Sequence, residues 1–225
     1  MSLTPARIRE NVERVRERIA AACARSGRDP SEVTLVCVTK GRSPEEIEAA
    51  FAAGVRDFGE NRVQEARAKL PLLEAARSAR WHLVGHLQRN KVRAALECFA
   101  ILHGVDSARL VSAVAERAER PVEIFVQVNI SGEPTKFGCR PEETPQLVEF
   151  ARRHPNLQVS GLMTIAPHRA EPRAIRACFA RLRELARELG LPKLSMGMSE
   201  DFELAVEEGA THVRIGRAIF EEVVR

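Results

Sequence analysis

Eight short apolar runs recur along the chain, and each hands over to a segment of helical periodicity. The runs are VTLVCV (33–38), VRDFGEN (55–61), WHLVG (81–85), AILHGV (100–105), VEIFVQVN (122–129), LQVSGLMTI (157–165), KLSMGMS (193–199) and THVRIG (211–216). Helical patterns follow them over 43–54, 60–73, 87–97, 107–119, 141–153, 172–189, 199–208 and 217–224. Strands that alternate with helices pair in parallel, because a parallel crossover needs a dozen or more residues. Eight such units predict an α/β chain closed into a single (β/α)8 TIM-type barrel. An open doubly wound sheet is the competing architecture, but no GxGxxG follows the first run. Before that run, Thr4-Pro5 supplies a cap and a first-turn proline. Ile8, Val12, Val15 and Ile19 then share one face as far as Gly27, which predicts an N-terminal helical extension. No Gly/Ser linker divides the 225 residues, so 1–225 is read as one domain.

The formal charge of +4 comes largely from arginines interleaved with glutamates on helical faces. That pattern describes solvated surfaces, and with few aromatics and no basic block it argues against nucleic acid. Five scattered cysteines without a CxxC pair argue against a disulfide framework or zinc knuckle and for a reducing compartment. The charged N-terminus lacks a signal-peptide core, and no apolar run reaches membrane-spanning length. A cytoplasmic protein without a membrane association is expected.

In a barrel of this kind the C-terminal strand ends form the working face. Lys40 lies there just past the first run, Asn61 ends the second, His86 follows the third, Asn129 ends the fifth, Ser199 ends the seventh, and Arg214 with Gly216 ends the eighth. A lysine at a dry strand end loses its proton readily and can attack an aldehyde to form an imine. The loops after the seventh and eighth strands are the habitual phosphate site of the architecture. Here Gly216 lets the backbone approach an anion, the N–H groups of Arg217 and Ala218 can donate, and Ser199 adds a hydroxyl. Glu200 and Asp201 push the anion toward Gly216. A phosphorylated aldehyde held at both ends describes pyridoxal 5′-phosphate.

The segments TLVCVTKGRSPEEI, DFGENRVQE, WHLVGHLQRNK, VNISGEPTKFG, SGLMTI, LSMGMSEDF and VRIGRAIF resemble, in order, the signatures of the pyridoxal phosphate homeostasis protein family. The resemblance implies a barrel like the N-terminal domain of alanine racemase, with Lys40 as the imine lysine. It further implies that Arg214 faces the pyridine nitrogen while Gly216 offers its amide to the phosphate. The implied role is to hold and balance the cofactor without established catalysis, and the implied recipients are apoenzymes that use pyridoxal phosphate or vitamin B6 salvage enzymes. A monomer is expected rather than an obligate oligomer. An amino-acid racemase or lyase on the same fold is the alternative. Against it, the chain has no tyrosine to serve as a second acid/base and ends soon after the eighth unit. An arginine beside the ring nitrogen would also weaken the electron sink.

Met163 and His82 complete the expected cofactor-facing set. For Met163 the competing reading is core packing, and for His82 a hydrogen-bonded interior residue. His86 is read as a cap for the next helix. The spacing of His82 and His86 on a strand, without an acidic third ligand, argues against a metal pair. Lys136, in a Gly/Pro loop, is the competing imine lysine, expected to be an exposed amine. Cys139 is a candidate acid only for the enzyme reading.

Overall fold

The computed structural model describes residues 3–168 and 170–222. Helix α1 (Pro5–Ser26) precedes β1 (Thr34–Val38), and the chain then alternates through α2 (Pro44–Ala52), β2 (Asp57–Glu60), α3 (Val63–Lys69), β3 (Arg80–Leu83), α4 (Val92–Cys98) and β4 (Ile101–Val105). It continues through α5 (Ala108–Ala115), β5 (Val122–Gln127), α6 (Thr144–Arg152), β6 (Leu157–Met163), α7 (Pro172–Glu188), β7 (Lys193–Ser195), α8 (Phe202–Glu207), β8 (His212–Ile215) and α9 (Arg217–Phe220). Each strand pairs in parallel with the next, and β8 returns to β1. The barrel expected from the alternation is therefore the observed fold.

The helix starts follow local chemistry. Thr4 Oγ1 accepts from the Arg7 N–H, and Ser43 and Glu46 exchange the two bonds of a capping box ahead of α2. Several expected boundaries move. β7 stops at Ser195 because Gly197 turns the backbone left-handed, at φ 93°. α3 ends before Pro71, which has no N–H to continue it. β5 stops at Gln127, and Val128 continues only as a single bridge to Cys139. The last helix is described as Arg217–Phe220, and Val224, its expected end, lies outside the described residues.

α9 has only four residues, too few to cover the seam between β8 and β1. α1 fills that place in the outer layer, packing against α8, α9 and α2. Ile8, Val12, Val15 and Ile19 are buried there, and the buried Asn11 side chain donates to Ile219 O at 2.9 Å. The N-terminal extension is thus part of the barrel wall. Replacing Ile19 by Ala should cost about 2–5 kcal/mol in urea unfolding, as for other buried aliphatics; a loss within about 0.5 kcal/mol would mean that α1 is dispensable packing.

The barrel interior is more polar than the branched apolar filling usual in this fold. His82, His103, His212, Asp57, Ser195 and Arg214 are all buried within it, alongside an apolar cluster of Ile101, Phe125 and Met163. Phe125 stacks on His103 at 4.5 Å and meets His212 edge-on at 5.1 Å. Burial pulls His212 down to about 3 and His103 well below the ordinary histidine value, with neighbouring His82 adding to both shifts. The native chain keeps both neutral, whereas the unfolded chain protonates them near pH ~6.5. The unfolded state therefore binds more protons below that pH, so their contribution is intact above ~6.5 and is lost as pH falls toward 3. Each histidine adds up to about 1.4 kcal/mol per pH unit to the slope. Denaturant unfolding between pH about 7 and 5 should show this decline, and His212→Asn should flatten it; a level wild-type profile would contradict the neutral interior.

Candidate functional site

At the C-terminal mouth a cavity of about 330 Å3 collects side chains from both sides of the β8–β1 seam and from the β2 and β7 ends. Lys40, Asn61, Ser199, Arg214, Gly216 and Arg217 all line it. They are six of the eight residues expected to face a cofactor. Larger grooves of about 580 and 510 Å3 lie on the flanks, lined by helix ends and the strand starts, without a comparable set.

Strand alternation explains why these six meet. Val36 lies opposite Arg214 across the seam, so Val38, Lys40 and Gly216 follow with the same parity toward the barrel axis. Lys40 lies two residues past the end of β1 and is exposed, not enclosed at a dry strand end. Its backbone, by contrast, is clamped. Lys69 Nζ donates to Thr39 O at 2.7 Å, to Glu60 Oε1 at 2.8 Å and to Glu65 Oε1 at 2.6 Å, while Gly41 N–H donates to Glu65 Oε1 at 2.6 Å. Thr39 Oγ1 adds a 2.7 Å bond to Glu60. Among the described residues no hydrogen bond or ion pair engages the Lys40 ammonium. The turn is rigid and the amine is free.

The other side of the cavity brings the β7 and β8 loop backbones together with arginines and with Glu200, Asp201 and Glu221. Gly216 lies so close to β1 that a Cβ would meet Val38 O at 3.1 Å. The Ala218 N–H donates to Ser199 Oγ at 3.3 Å, joining the β7 and β8 loops. Arg214 is buried in the floor, where its guanidinium donates to Ser195 Oγ at 2.6 Å and Thr164 O at 2.9 Å. Burial lowers it to about 10, with Asp201 pulling the other way, so it is fully charged at neutral pH. Burial raises the Asp201 carboxyl above its ordinary value, although its Oδ1 accepts from the Met198 N–H at 2.5 Å and Arg214 attracts it. Arg217 and Arg42 pair with Glu200 at 2.7 Å and Glu221 at 2.8 Å at the rim. Asn61 is placed by a backbone approach at which Gly85 could carry no Cβ, since one would fall 2.2 Å from Asn61 O.

Two expected cofactor residues are elsewhere. His82 is fully buried in the barrel, bonded to Asp57 Oδ1 and His103 Nε2 at 2.9 Å each, because its partners lie on the neighbouring strands β2 and β4. Met163 packs in the interior cluster with Phe125 and Ile101, and Ile165, two residues on, reaches the cavity instead. His86 does not cap α4; it stacks on Phe137 at 3.9 Å. Lys136 is not an exposed amine, since Glu133 at 2.7 Å and Ala166 O at 2.8 Å hold its nitrogen. Burial pushes the Cys139 thiol up to about 11, and it bonds to Gln127 O and Thr144 and does not line the cavity. Arg42, Ile165 and the Glu65–Lys69 clamp were not anticipated; the four-residue spacing of Glu65 and Lys69 on one helix face was their available signal. Among the described residues no group of three or more His, Cys, Asp or Glu could hold a metal ion.

Fold and rim together define a barrel of the alanine racemase N-terminal-domain class, whose family model matches residues 4–222. The chain is 45% identical over 218 residues to the pyridoxal phosphate homeostasis protein of Pseudomonas aeruginosa, covering 95% of this chain and 94% of the relative. It is 41% identical to the protein of the same name from Aquifex aeolicus, over 95% and 97% of the two chains. Its fold superposes on PipY of Synechococcus elongatus, solved with PLP bound, at a TM-score of 0.80 and 38% identity, covering 92% of this chain and 99% of that one. The chain belongs to the pyridoxal phosphate homeostasis protein family.

Glu60 is wholly buried and is neutralised by Lys69. Lys69→Met should therefore cost about 3–5 kcal/mol by stranding a carboxylate, and adding Glu60→Gln should recover much of that loss in urea unfolding. A double variant no more stable than the single one would rule out the clamp's charge pairing.

Proposed function

We propose that this chain holds pyridoxal 5′-phosphate at the barrel mouth through Lys40 and keeps it available to other proteins without turning over amino acids. The observation that carries the reading is the Lys40 ammonium, unpartnered among the described residues, which shares one cavity with cations and donors of the β7 and β8 loops that rim ion pairs shield in part. When bound, the cofactor supplies an aldehyde for a primary amine and an electron-withdrawing ring. The residues fit such a group. Lys40 supplies the amine, and Ser199, the Arg217 and Ala218 N–H groups and the Gly216 backbone would hold the phosphate. Glu200 and Glu221 offset Arg217 and Arg42 only through rim ion pairs, worth about 0–1 kcal/mol each, which an entering phosphate can displace.

Three features support storage over catalysis. No His, Cys or Tyr side chain lines the cavity, so no such group is placed to exchange a proton opposite Lys40. Asp201 is tied to the Met198 N–H. Arg214, permanently charged and anchored by two bonds, would keep a facing ring nitrogen unprotonated. A racemase or lyase remains the contrasting reading, and the same experiment separates the two. Exposure of Lys40 at the mouth supports transfer outward, to apoenzymes or vitamin B6 salvage enzymes in the cytoplasm, by a single subunit.

Borohydride reduction of the loaded protein followed by peptide mapping should place the label on Lys40. Lys40→Ala should abolish the visible absorbance and weaken retention more than about tenfold, while Lys136→Ala leaves the absorbance unchanged. A label on Lys136, or an unaltered spectrum in Lys40→Ala, would overturn the assignment. Sustained turnover of any amino acid in a panel would favour the enzyme reading.

A further inference from the structure

A continuous line of hydrogen bonds threads the barrel interior from its N-terminal mouth to the cavity floor. Arg80 bonds to Asp57 at 2.9 and 3.1 Å at the start. Asp57 Oδ1 meets His82 Nε2 at 2.9 Å, His82 Nδ1 meets His103 Nε2 at 2.9 Å, His103 Nδ1 meets Ser195 Oγ at 2.8 Å, and Ser195 Oγ meets Arg214 Nη1 at 2.6 Å. The four residues between Arg80 and Arg214 are all less than one-tenth exposed. Nothing in the proposed storage role uses them.

Both ends of the line are fixed in kind, and that fixes its direction. Burial alone would raise Asp57, but bonds from His82 and Arg80 outweigh it and hold the carboxyl below its ordinary value. An ionised Asp57 can only accept, and a guanidinium can only donate. With one ring proton on each imidazole, His82 carries it on Nε2 and accepts on Nδ1; His103 then donates from Nε2 and accepts on Nδ1. Ser195 accordingly gives its own proton to His103 and turns its lone pairs to Arg214. Every polar group along the line is satisfied in this single arrangement. Reversing His103 would leave two bare nitrogens facing each other at 2.9 Å between His82 and His103 and would strand the Ser195 hydroxyl proton. The groups facing His103 are His82 from β3, Ser195 from β7, His212 and Arg214 from β8, and Phe125 from β5.

We propose that Asp57, His82, His103 and Ser195 are positioning residues whose one-directional hydrogen bonding sets the orientation of the Arg214 guanidinium, and through it the electronic state of the ring bound at the mouth. The inference rests on the pyridoxal phosphate reading for its second half only. Its first half concerns the chain alone, and the Asp57–Arg80 pair thereby makes the far mouth of the barrel a point from which the cavity floor can be altered.

The test has an arm for each half. In 15N-detected NMR of the protein without cofactor, His82 and His103 should both show protonated Nε2 and bare Nδ1 at neutral pH; a proton on His103 Nδ1 overturns the line, and this measurement needs no variant. The second arm titrates the absorbance of the protein loaded with pyridoxal phosphate. His103→Phe should shift the pH midpoint of the bound chromophore by about one unit or more and weaken cofactor affinity about tenfold. In a Ser195→Ala background, where the line no longer reaches Arg214, the same substitution should add nothing, while Ser195→Thr, which retains the hydroxyl, should stay close to wild type. A purely structural role for His103 would lower thermal stability without moving the chromophore midpoint, and that result, or shifts that add independently in the double variant, refutes the proposal. If pyridoxal phosphate gives no chromophore with the wild-type chain, the storage reading fails, and the positioning claim is decided by the histidine tautomers and by whether His103→Phe moves the Arg214 side-chain NMR signals.

Discussion

The pairing of β8 with β1 is the constraint on which the rest of the molecule depends. It closes the sheet and, by setting Val36 opposite Arg214, fixes which residues of both strands look inward. A slip of β8 by one residue against β1 would send Arg214 out beneath the helices and leave Ile215 in its place. The seam is also where the outer layer is thinnest, since α9 is a single turn, and α1 covers it with a buried apolar face and the Asn11 bond to Ile219. Barrel closure and site assembly are therefore the same event.

An interior with three histidines, an aspartate, a serine and an arginine imposes a second requirement. Such groups are tolerated away from water only when each finds a partner. The bonds that run from Asp57 to Arg214 meet that requirement for five of the six and anchor the guanidinium that forms the cavity floor, and Thr211 Oγ1 meets His212 Nδ1 at 2.9 Å. At the ends of β1 and β2 the Glu60–Lys69–Glu65 clamp does comparable work for the turn that carries Lys40. Among the described residues the ammonium itself is left without a partner while its backbone is held on both sides.

Much of this was legible in the sequence because it is local. Alternating patterns gave the eight units, Thr4-Pro5 and Ser43-Pro44 marked helix starts, and strand-end positions brought five polar residues and Gly216 to one rim. What escaped depends on contacts between distant segments. The place of His82 is decided by Asp57 and His103, one strand away on either side, and no pattern within WHLVG announces them. Met163 and Ile165 share a parity, and only the height at which β6 ends decides which of them reaches the cavity. The expectation of a dry Lys40 failed because β1 stops at Val38, lifting the lysine clear of the core, while the expectation of an exposed Lys136 failed because backbone carbonyls after β6 gather around it. The apolar stripe of α1 pointed to packing on the barrel, as observed, whereas its place over the β8–β1 seam follows from the shortness of α9, which the stripe does not show.

The most direct measurement is a crystal structure of the chain grown with pyridoxal 5′-phosphate. The account predicts unbroken density from Lys40 Nζ to the cofactor, with its phosphate against Ser199 and the Gly216–Ala218 backbone. A bare Lys40 with the cofactor bound at another place, or excluded from the barrel mouth, would contradict it.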